Sequence, residues 1–450
     1  MTERTLTMTG IGRRNFLALA GGLALVAAAT PTRAAEIDAG AYGIVPNSTA
    51  DQTDALQAGI DATAVEGKPL MLEAGRYQVR QLSLRSGVVI EGVGGATVLV
   101  AQTSEPVLYG DGIENVRLAG LAVDGQGGGS ADGFSGLLRI MDCGNLDIES
   151  CLFANGSGNG VFLSACSGRI ANCTATGFGQ TALFANDSKG LVITGNRIAD
   201  CGNGGIRVFR GVPGEDGTIV TENVISDIRS GSGNGQNGNA INVFRADGVI
   251  VANNVASDVD FSAVRLNSTK NCVVRGNVAS LSREVAIFSE FAFSGSIIAE
   301  NIIDGAATGI SITNFNDGGR LAVCQGNIVR NIYPASPTNP DTRPVGIFAE
   351  ADTAIIGNVV EAVPGIGIAA GWGQYLRDVL ISGNVIRETE YAVAVSVAPG
   401  AGTARVANNL ISGARTRAIS GFAWAEPQGG DLSADPAQFE TVAVEGNTIS

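Results

Sequence analysis

The chain has 450 residues, of which 63 are glycine and only 16% are charged, and its formal net charge is −14. This acidic balance disfavours nucleic acid and anionic membrane surfaces as partners, because both would repel the protein. The sequence contains no histidine, which excludes every mechanism that requires an imidazole as acid, base or metal ligand.

The first 34 residues have the pattern of an export signal. Arg13 and Arg14 precede Phe16 and Leu17, and an apolar run rich in alanine and glycine follows over residues 18–29. This run is too short for a membrane-spanning helix. The pattern resembles the twin-arginine signal and predicts that residues 1–34 are a cleaved signal peptide, with an ordinary secretory leader or an uncleaved anchor as alternatives. We therefore expect a periplasmic or secreted protein with no membrane span after cleavage.

Residues 35–80 are predicted to form an amino-terminal cap and the first coil of a repeat domain that spans 35–450. The segment from Asp51 indicates an amphipathic helix with its cap at Thr53. Its apolar side is expected to comprise Ala55, Leu56, Ile60 and Ala64.

One phrase returns along the chain from about residue 140: an alternating apolar run, then an asparagine, then valine or isoleucine. The alternation has period two, which favours strands over a helical repeat, and about 22 residues per unit suits three short strands per coil. The pattern predicts an all-β, right-handed parallel β-helix of roughly a dozen coils. The recurrent asparagines are expected to adopt the left-handed backbone conformation at a turn and to form a hydrogen-bonded ladder. They are Asn196, Asn223, Asn254, Asn277, Asn301, Asn327, Asn358, Asn384 and Asn409.

The seven cysteines recur at matching repeat positions, as Cys151 does with Cys173. We interpret them as buried small apolar residues, with a disulfide between stacked coils as the alternative. No CxxC motif occurs, which disfavours zinc.

Residues 37–80 resemble the start of the pectate-lyase-like superfamily of parallel β-helices, on "DAGAYGIVPNSTADQTDALQAGIDA" followed by "PLMLEAGRYQV". Ala74 stands where that family usually has proline. As a whole the chain resembles the twin-arginine-translocated repetitive proteins of bacteria, through its leader and repeats. The resemblance implies a fold and an export route, and no reaction.

Carbohydrate-active β-helices usually use the outer side of the first strand of each coil, and in this chain that strand carries much of the scarce aromatic content. Rings beside polar groups suit a sugar polymer, since pyranose faces stack on rings while hydroxyl groups need directed polar partners. The predicted substrate-binding residues are Phe209, Asn242, Phe244, Phe288, Phe348 and Trp372. The alternative is that loops 210–218, 228–239 and 331–344 cover this strip.

The candidate catalytic residues are Glu290, Glu350, Arg207 and Arg265. The two glutamates are expected two coils apart, near the upper limit for an inverting carboxylate pair. An arginine could instead serve a calcium-assisted lyase, with Asp227, Asp258 and Asp260 as calcium ligands, although no metal motif is recognisable and no cofactor is expected otherwise.

Residues 422–440 interrupt the repeat and are expected to be an irregular insertion or a carboxyl-terminal cover. The sequence thus favours an exported β-helix that binds an acidic polysaccharide. If the protein is an enzyme that cleaves it, a polysaccharide lyase and an inverting glycoside hydrolase both remain open. A non-catalytic envelope or surface scaffold is the alternative. The sequence does not indicate an oligomeric state.

Overall fold

The computed structural model describes residues 36–130 and 132–450, and these form a right-handed parallel β-solenoid of about 14 turns. The predicted fold class is therefore confirmed, with slightly more coils than expected. The signal residues Arg13, Arg14, Phe16 and Leu17 lie outside the described residues.

The solenoid has three faces, because each complete coil contributes three strand segments that pair in parallel with the coils before and after it. In one coil these are Gly204–Glu215 on the first face, Ile219–Thr221 on the second and Val224–Ile228 on the third. The same three faces recur from coil to coil.

The described elements are two 3-10 helices, one α-helix and 37 strands. The helices are Ala39–Tyr42, Phe315–Asp317 and the α-helix α1 (Thr53–Glu66). The first strands are β1 (Leu70–Met71), β2 (Gly75–Val79), β3 (Leu82–Ser83), β4 (Val89–Glu91), β5 (Thr97–Ala101), β6 (Leu108–Ala119), β7 (Leu121–Asp124), β8 (Gly136–Glu149), β9 (Leu152–Gly156), β10 (Asn159–Ala171), β11 (Thr174–Phe178), β12 (Thr181–Asn186) and β13 (Val192–Thr194). The middle strands are β14 (Arg197–Cys201), β15 (Gly204–Glu215), β16 (Ile219–Thr221), β17 (Val224–Ile228), β18 (Asn239–Asp247), β19 (Ile250–Ala252), β20 (Val255–Val259), β21 (Val264–Asn267), β22 (Val273–Arg275), β23 (Val278–Glu290), β24 (Ser294–Ala299) and β25 (Ile302–Ile312). The last strands are β26 (Arg320–Gln325), β27 (Ile328–Ile332), β28 (Val345–Ala349), β29 (Ala351–Ile356), β30 (Val359–Ala370), β31 (Arg377–Ser382), β32 (Val385–Ser396), β33 (Ala404–Ala407), β34 (Leu410–Ala423), β35 (Glu426–Asp431), β36 (Val442–Glu445) and β37 (Thr448–Ile449).

The core runs along the inside of the solenoid, because every second residue of a strand points inward. Ile206 and Val208 on the first face, Val220 on the second and Ile225 on the third are fully buried in one coil. Each such residue stacks on its register partner in the next coil, so the apolar interior is continuous from the amino-terminal helix to the last coils.

The predicted asparagines form one continuous buried ladder at the turn between the second and third faces, and Asn447 extends it by one position. The Asn301 Nδ2 donates to Asn327 Oδ1 at 3.0 Å and to the Val274 carbonyl at 3.1 Å. The backbone N–H of Asn277 also donates to Asn301 Oδ1 at 3.0 Å. Each buried amide therefore satisfies backbone groups that the turn removes from the strand pairing.

The ladder asparagines do not adopt the left-handed conformation, contrary to our expectation. That conformation belongs to the preceding residue, such as Gly195 (φ 67°), Glu222 (φ 59°) and Glu300 (φ 57°). The tight bend is made one position earlier, which directs the asparagine side chain into the interior, where its amide reaches the neighbouring coils.

The predicted amino-terminal helix is present as α1, which buries Leu56 and Ile60 against the first coils. Two details of the prediction were wrong. Thr53 is the first helical residue and Gln52 occupies the cap position without a side-chain hydrogen bond, while the Thr53 N–H donates to Asp51 Oδ1 at 2.9 Å. Ala64 is exposed, and Thr63 is buried in its place.

The segment 422–440 contains the antiparallel strand β35, which pairs with β34 at the carboxyl-terminal end of the first face. All seven cysteines are buried free thiols in the structure.

None of the helices within the described residues has the length and apolar character needed to cross a membrane.

Candidate functional site

Two outward columns of side chains run along the first face, in the register that the alternation predicts. We call these two columns the strip. In the first column Phe162 is the register partner of Phe184, Phe184 of Arg207, and Arg207 of Asn242. It continues through Arg265, Phe288, Ser311 and Phe348. The strip thus faces outward, yet its exposure differs sharply from one end to the other.

The amino-terminal part of the strip is closed by stacked rings. Phe162 and Phe184 are only 2% and 5% exposed, because their rings pack edge to face at 5.4 Å. Phe134 covers both at 6.0 and 6.1 Å, and Phe209 and Phe244 extend the stack at 5.3 and 5.4 Å. The strip is therefore closed at Phe162 and Phe184, whereas the half-exposed Phe209 and Phe244 line a small pocket of about 280 Å³ with Asn242.

The loop 229–238 closes the middle of the strip. Arg207 donates to Asn237 Oδ1, Asn242 donates to the Gln236 carbonyl at 3.0 Å, and Arg265 donates to the Gly235 carbonyl at 2.6 Å. The alternative that a loop covers the strip thus holds for these three residues. Arg207 forms no ion pair within the described part of the chain, and burial lowers its pKa to about 10.

Arg265 and Glu290 form a buried ion pair. The Arg265 Nε and Nη2 donate to the two carboxylate oxygens of Glu290 at 2.7 and 2.8 Å. Asn267 donates to the same carboxylate at 2.7 Å, and Glu290 is only 2% exposed. Both oxygens are engaged, so the predicted exposed, reactive Glu290 and Arg265 are instead structural partners of each other.

A second carboxyl group, Glu284, connects this ion pair to a neighbouring loop. Glu284 Oε2 lies 3.4 Å from Arg265, and its other oxygen accepts from Asn339 at 2.8 Å. Burial raises the pKa of Glu284, while the Arg265 charge opposes that shift. Asn339 belongs to the loop 333–344, so Glu284 anchors that loop.

The carboxyl-terminal part of the strip opens into a cleft of about 620 Å³. Its walls include Phe288, Phe348 and Trp372 from the predicted strip, together with Glu350. The loop 333–344 supplies a further wall, because Ser336 donates to the Arg283 carbonyl at 2.5 Å and Thr338 to the Asp260 carbonyl at 2.9 Å. Such a volume matches a ligand pocket for a small number of sugar units.

Sequence reasoning missed several residues of the cleft. Phe422 and Trp424 come from the segment expected to be a mere cover, and Arg343 and Asp341 come from the loop. For Trp424 the sequence does contain a signal, since Trp372 and Trp424 are the two tryptophans of the chain. In the structure their rings meet edge to face at 5.8 Å.

Glu350 is the most perturbed acid of the cleft. It is 7% exposed, and its Oε2 accepts the Phe315 N–H at 2.7 Å. Burial raises its pKa to about 7, although this hydrogen bond acts in the opposite direction. A carboxyl group that is half protonated near neutral pH is suited to donate a proton to a bound ligand. The register places Glu350 two coils beyond Glu290, as expected, but only Glu350 lines the cleft.

Arg343 provides positive charge at the cleft. Its guanidinium lies 4.2 Å from the centre of the Trp372 ring, and the residue is exposed. It makes no ion pair with any residue that the structure describes. Its charge is therefore available to an anionic ligand stacked beside Trp372.

The suggested calcium ligands are engaged by arginines. Arg229 contacts Asp227 at 2.5 Å and Asp258 at 2.6 Å, and Arg283 contacts Asp260 at 3.1 Å. A cation would have to displace both guanidinium groups. Within residues 36–130 and 132–450, no group of three acidic or cysteine side chains is arranged to hold a metal ion.

Comparison with known proteins supports the fold. Residues 159–331 match the family model described as a right handed beta helix region. No curated protein sequence matches the chain.

Solved structures with a similar fold come from viruses and bacteria. The amino-terminal fragment of gene product 12 of bacteriophage phi29 has a TM-score of 0.57 at 15% identity, covering 85% of this chain and 68% of that chain. The catalytic unit of the GH87 α-1,3-glucanase of Streptomyces thermodiastaticus has a TM-score of 0.50 at 16% identity, covering 93% and 69%. At these identities the likeness concerns the fold alone.

Proposed function

We propose that the cleft binds a segment of an acidic polysaccharide and that Glu350 donates a proton to a glycosidic oxygen of the bound chain. The observation that carries the proposal is the presence of Trp372, Phe348 and Glu350 in one cleft of about 620 Å³. Flat rings recognise pyranose faces, and a protonated carboxyl group beside them meets the requirement of acid catalysis. The glucanase of similar fold acts on a polysaccharide, which is compatible with this proposal.

The acidic character of the substrate is inferred from Arg343. Arg207 and Arg265, the arginines of the strip, are poorly placed to neutralise a uronate, because both are covered by the loop 229–238 and Arg265 is paired with Glu290. Arg343, exposed and unpaired by any described acid, takes over that role. A guanidinium stacked on tryptophan presents its edge to a carboxylate while the ring contacts the sugar.

In the proposed reaction, the bond between the anomeric carbon and the glycosidic oxygen breaks as that oxygen receives the Glu350 proton. Water adds to the anomeric carbon and loses a proton to a second carboxylate. Asp341 also lines the cleft and is exposed, so a second carboxyl group is available for this step. No histidine is needed.

Tryptophan fluorescence tests the binding directly, because both tryptophans of the chain line the cleft. Uronate oligosaccharides are expected to change the emission with saturation, and neutral oligosaccharides to bind more weakly. Arg343→Gln should weaken uronate binding about tenfold, since a charge-assisted contact is lost, and leave neutral binding unchanged. Phe348→Ala should weaken both.

Phe134→Ala is the matched control, because Phe134 is 56% exposed on the same face but does not line the cleft. Glu350→Gln should bind the oligosaccharide without releasing reducing ends. If no polymer in a uronate and neutral panel changes the emission or is cleaved, the proposal fails and the scaffold alternative is favoured.

We also propose export by the twin-arginine route, as the resemblance to twin-arginine-translocated repetitive proteins implies. The support is Arg13 and Arg14 followed by Phe16 and Leu17. Replacing both arginines by lysine should retain the precursor in the cytoplasm, and unchanged export after that replacement would contradict the route.

A further inference from the structure

The third face carries an exposed column of aliphatic side chains, which we call the apolar column. We define it over six successive coils in direct register, in which its members are Val278, Ile302, Ile328, Val359, the half-buried Val385 and Leu410. The exposed Val224 and Val255 continue the same row before Val278. Ile328 is 39% exposed and Leu410 47%. Monomeric proteins rarely leave a long continuous apolar surface in water, so this column indicates a partner.

A column of alternating charge runs beside the apolar column, two residues further along each strand and on the same face. It consists of Asp304, Arg330, Glu361 and Arg387, which are register partners in four successive coils. Within the chain Arg330 pairs with Asp304 at 2.8 Å and Arg387 with Glu361 at 3.6 Å, yet the side chains of Asp304, Arg330, Glu361 and Arg387 remain 37%, 50%, 41% and 49% exposed, so each pair can still meet further charges. The order of charge along the solenoid is therefore negative, positive, negative, positive.

We propose that this face binds the same face of a second copy of the chain, antiparallel to it, about a two-fold axis between the coils of Ile328 and Val359. The order of charge along the column determines this arrangement. Reversing the column about that axis places Arg330 opposite Glu361 of the second copy, and Asp304 opposite Arg387. All four positions then meet the opposite charge, as a self-complementary two-fold interface requires.

The size of the face fits a dimer. With roughly 60 Å² for each half-exposed aliphatic side chain and roughly 80 Å² for each charged one, the two columns bury roughly 700 Å² per copy, near the ~800 Å² per partner of a standard interface. A glycan is a poorer occupant, because the column contains no aromatic ring for a sugar face. None of the ten column residues lines the cleft, so the dimer does not depend on the proposed function.

Sedimentation velocity of the full-length purified chain, from roughly 1 to roughly 100 µM, tests the proposal. The wild-type protein should shift from monomer to dimer within this range. Ile328→Lys should raise the dissociation constant at least ~100-fold, because it buries two charges at the centre of the apolar column. Arg330→Glu should raise it at least ~10-fold, and adding Glu361→Arg should restore dimerisation, since the two positions face each other across the axis.

Thermal unfolding is measured for each variant, because Arg330→Glu also places an acid beside Asp304 of the same chain. Leu321→Lys is the control, since Leu321 is 51% exposed and lies outside both columns. A wild-type protein that stays monomeric overturns the proposal. So does a dimer that survives Ile328→Lys, or a folded charge-swapped variant that fails to recover dimerisation.

Discussion

Replacing Glu350 by glutamine removes the carboxyl group whose pKa burial raises from the ordinary 4.5 to about 7. The folded state therefore binds this proton more tightly than the unfolded state does. The resulting contribution to the free energy of unfolding is fully present below about pH 4.5. That contribution is lost as the pH rises through about 7. The difference between the two pKa values corresponds to about 3 kcal/mol. Wild-type stability relative to Glu350→Gln should therefore fall by about 3 kcal/mol across this interval.

Two measurements follow the titration. Urea unfolding of both proteins at several pH values between 4 and 8 gives the stability difference. Tryptophan emission of the folded protein gives the midpoint directly, since both tryptophans line the cleft with Glu350. The chain has no histidine, so no imidazole obscures a transition near pH 7.

Glu300→Gln is the control, because its side chain is 55% exposed and paired with Arg275 away from the cleft. A wild-type emission midpoint near 4.5, or a transition near 7 that persists in Glu350→Gln, would refute the reasoning. Either result would also remove the argument that Glu350 is a proton donor at neutral pH.

Three further outcomes are expected. Asn301→Ala should lower the free energy of unfolding by about 3 kcal/mol, because its buried amide forms hydrogen bonds to both neighbouring coils. Asn447→Ala, at the end of the ladder, should lower it by about 1 kcal/mol. Equal losses of the two variants in urea unfolding would contradict this. A thiol reagent should label no cysteine until the protein unfolds, since all seven thiols are buried and burial raises the pKa of Cys324 to about 12; labelling in native buffer would contradict this. Glu290→Gln should destabilise the protein by roughly 2 kcal/mol through its buried arginine partner without changing oligosaccharide affinity; weaker binding at unchanged stability would disprove that assignment.

The repeating part of the fold was predictable because its cause is local. Each coil alternates inward and outward residues, and each ladder asparagine repeats at the same turn, so the pattern in sequence is also the pattern in space. The left-handed position was misplaced by one residue, because glycine precedes some ladder asparagines but Glu222 and Glu300 precede others. Because the residue type at this position varies from coil to coil, the repeated left-handed backbone conformation is not visible in the sequence.

The exposure of the strip was not predictable in the same way. Phe184 and Phe348 both occupy outward positions on the first face, yet Phe184 is 5% exposed and Phe348 lines an open cleft. What separates them is the path of the loops, which no periodicity encodes. The different environments of the two glutamates were not predictable either. Glu290 pairs with the Arg265 side chain of an adjacent coil, whereas Glu350 accepts a hydrogen bond from a backbone N–H.

This contrast identifies what makes one part of a uniform solenoid a candidate site. The strip upstream has aromatic and polar residues of the same kinds, but the loop 229–238 supplies to Arg207, Asn242 and Arg265 the hydrogen bonds that a ligand would otherwise make, and Phe134 covers the rings of Phe162 and Phe184. Downstream, the loop 333–344 is anchored back to Glu284 and thereby stands beside the strip as a wall of the cleft that Trp424 also lines. Because strand pairing, the apolar interior and the asparagine ladder maintain each coil, the loops between strands can differ from coil to coil without disturbing the solenoid. Arg265 thus has a role distinct from catalysis: it holds the loop 229–238 directly through the Gly235 carbonyl, and it pairs with Glu284, the residue that holds the loop 333–344.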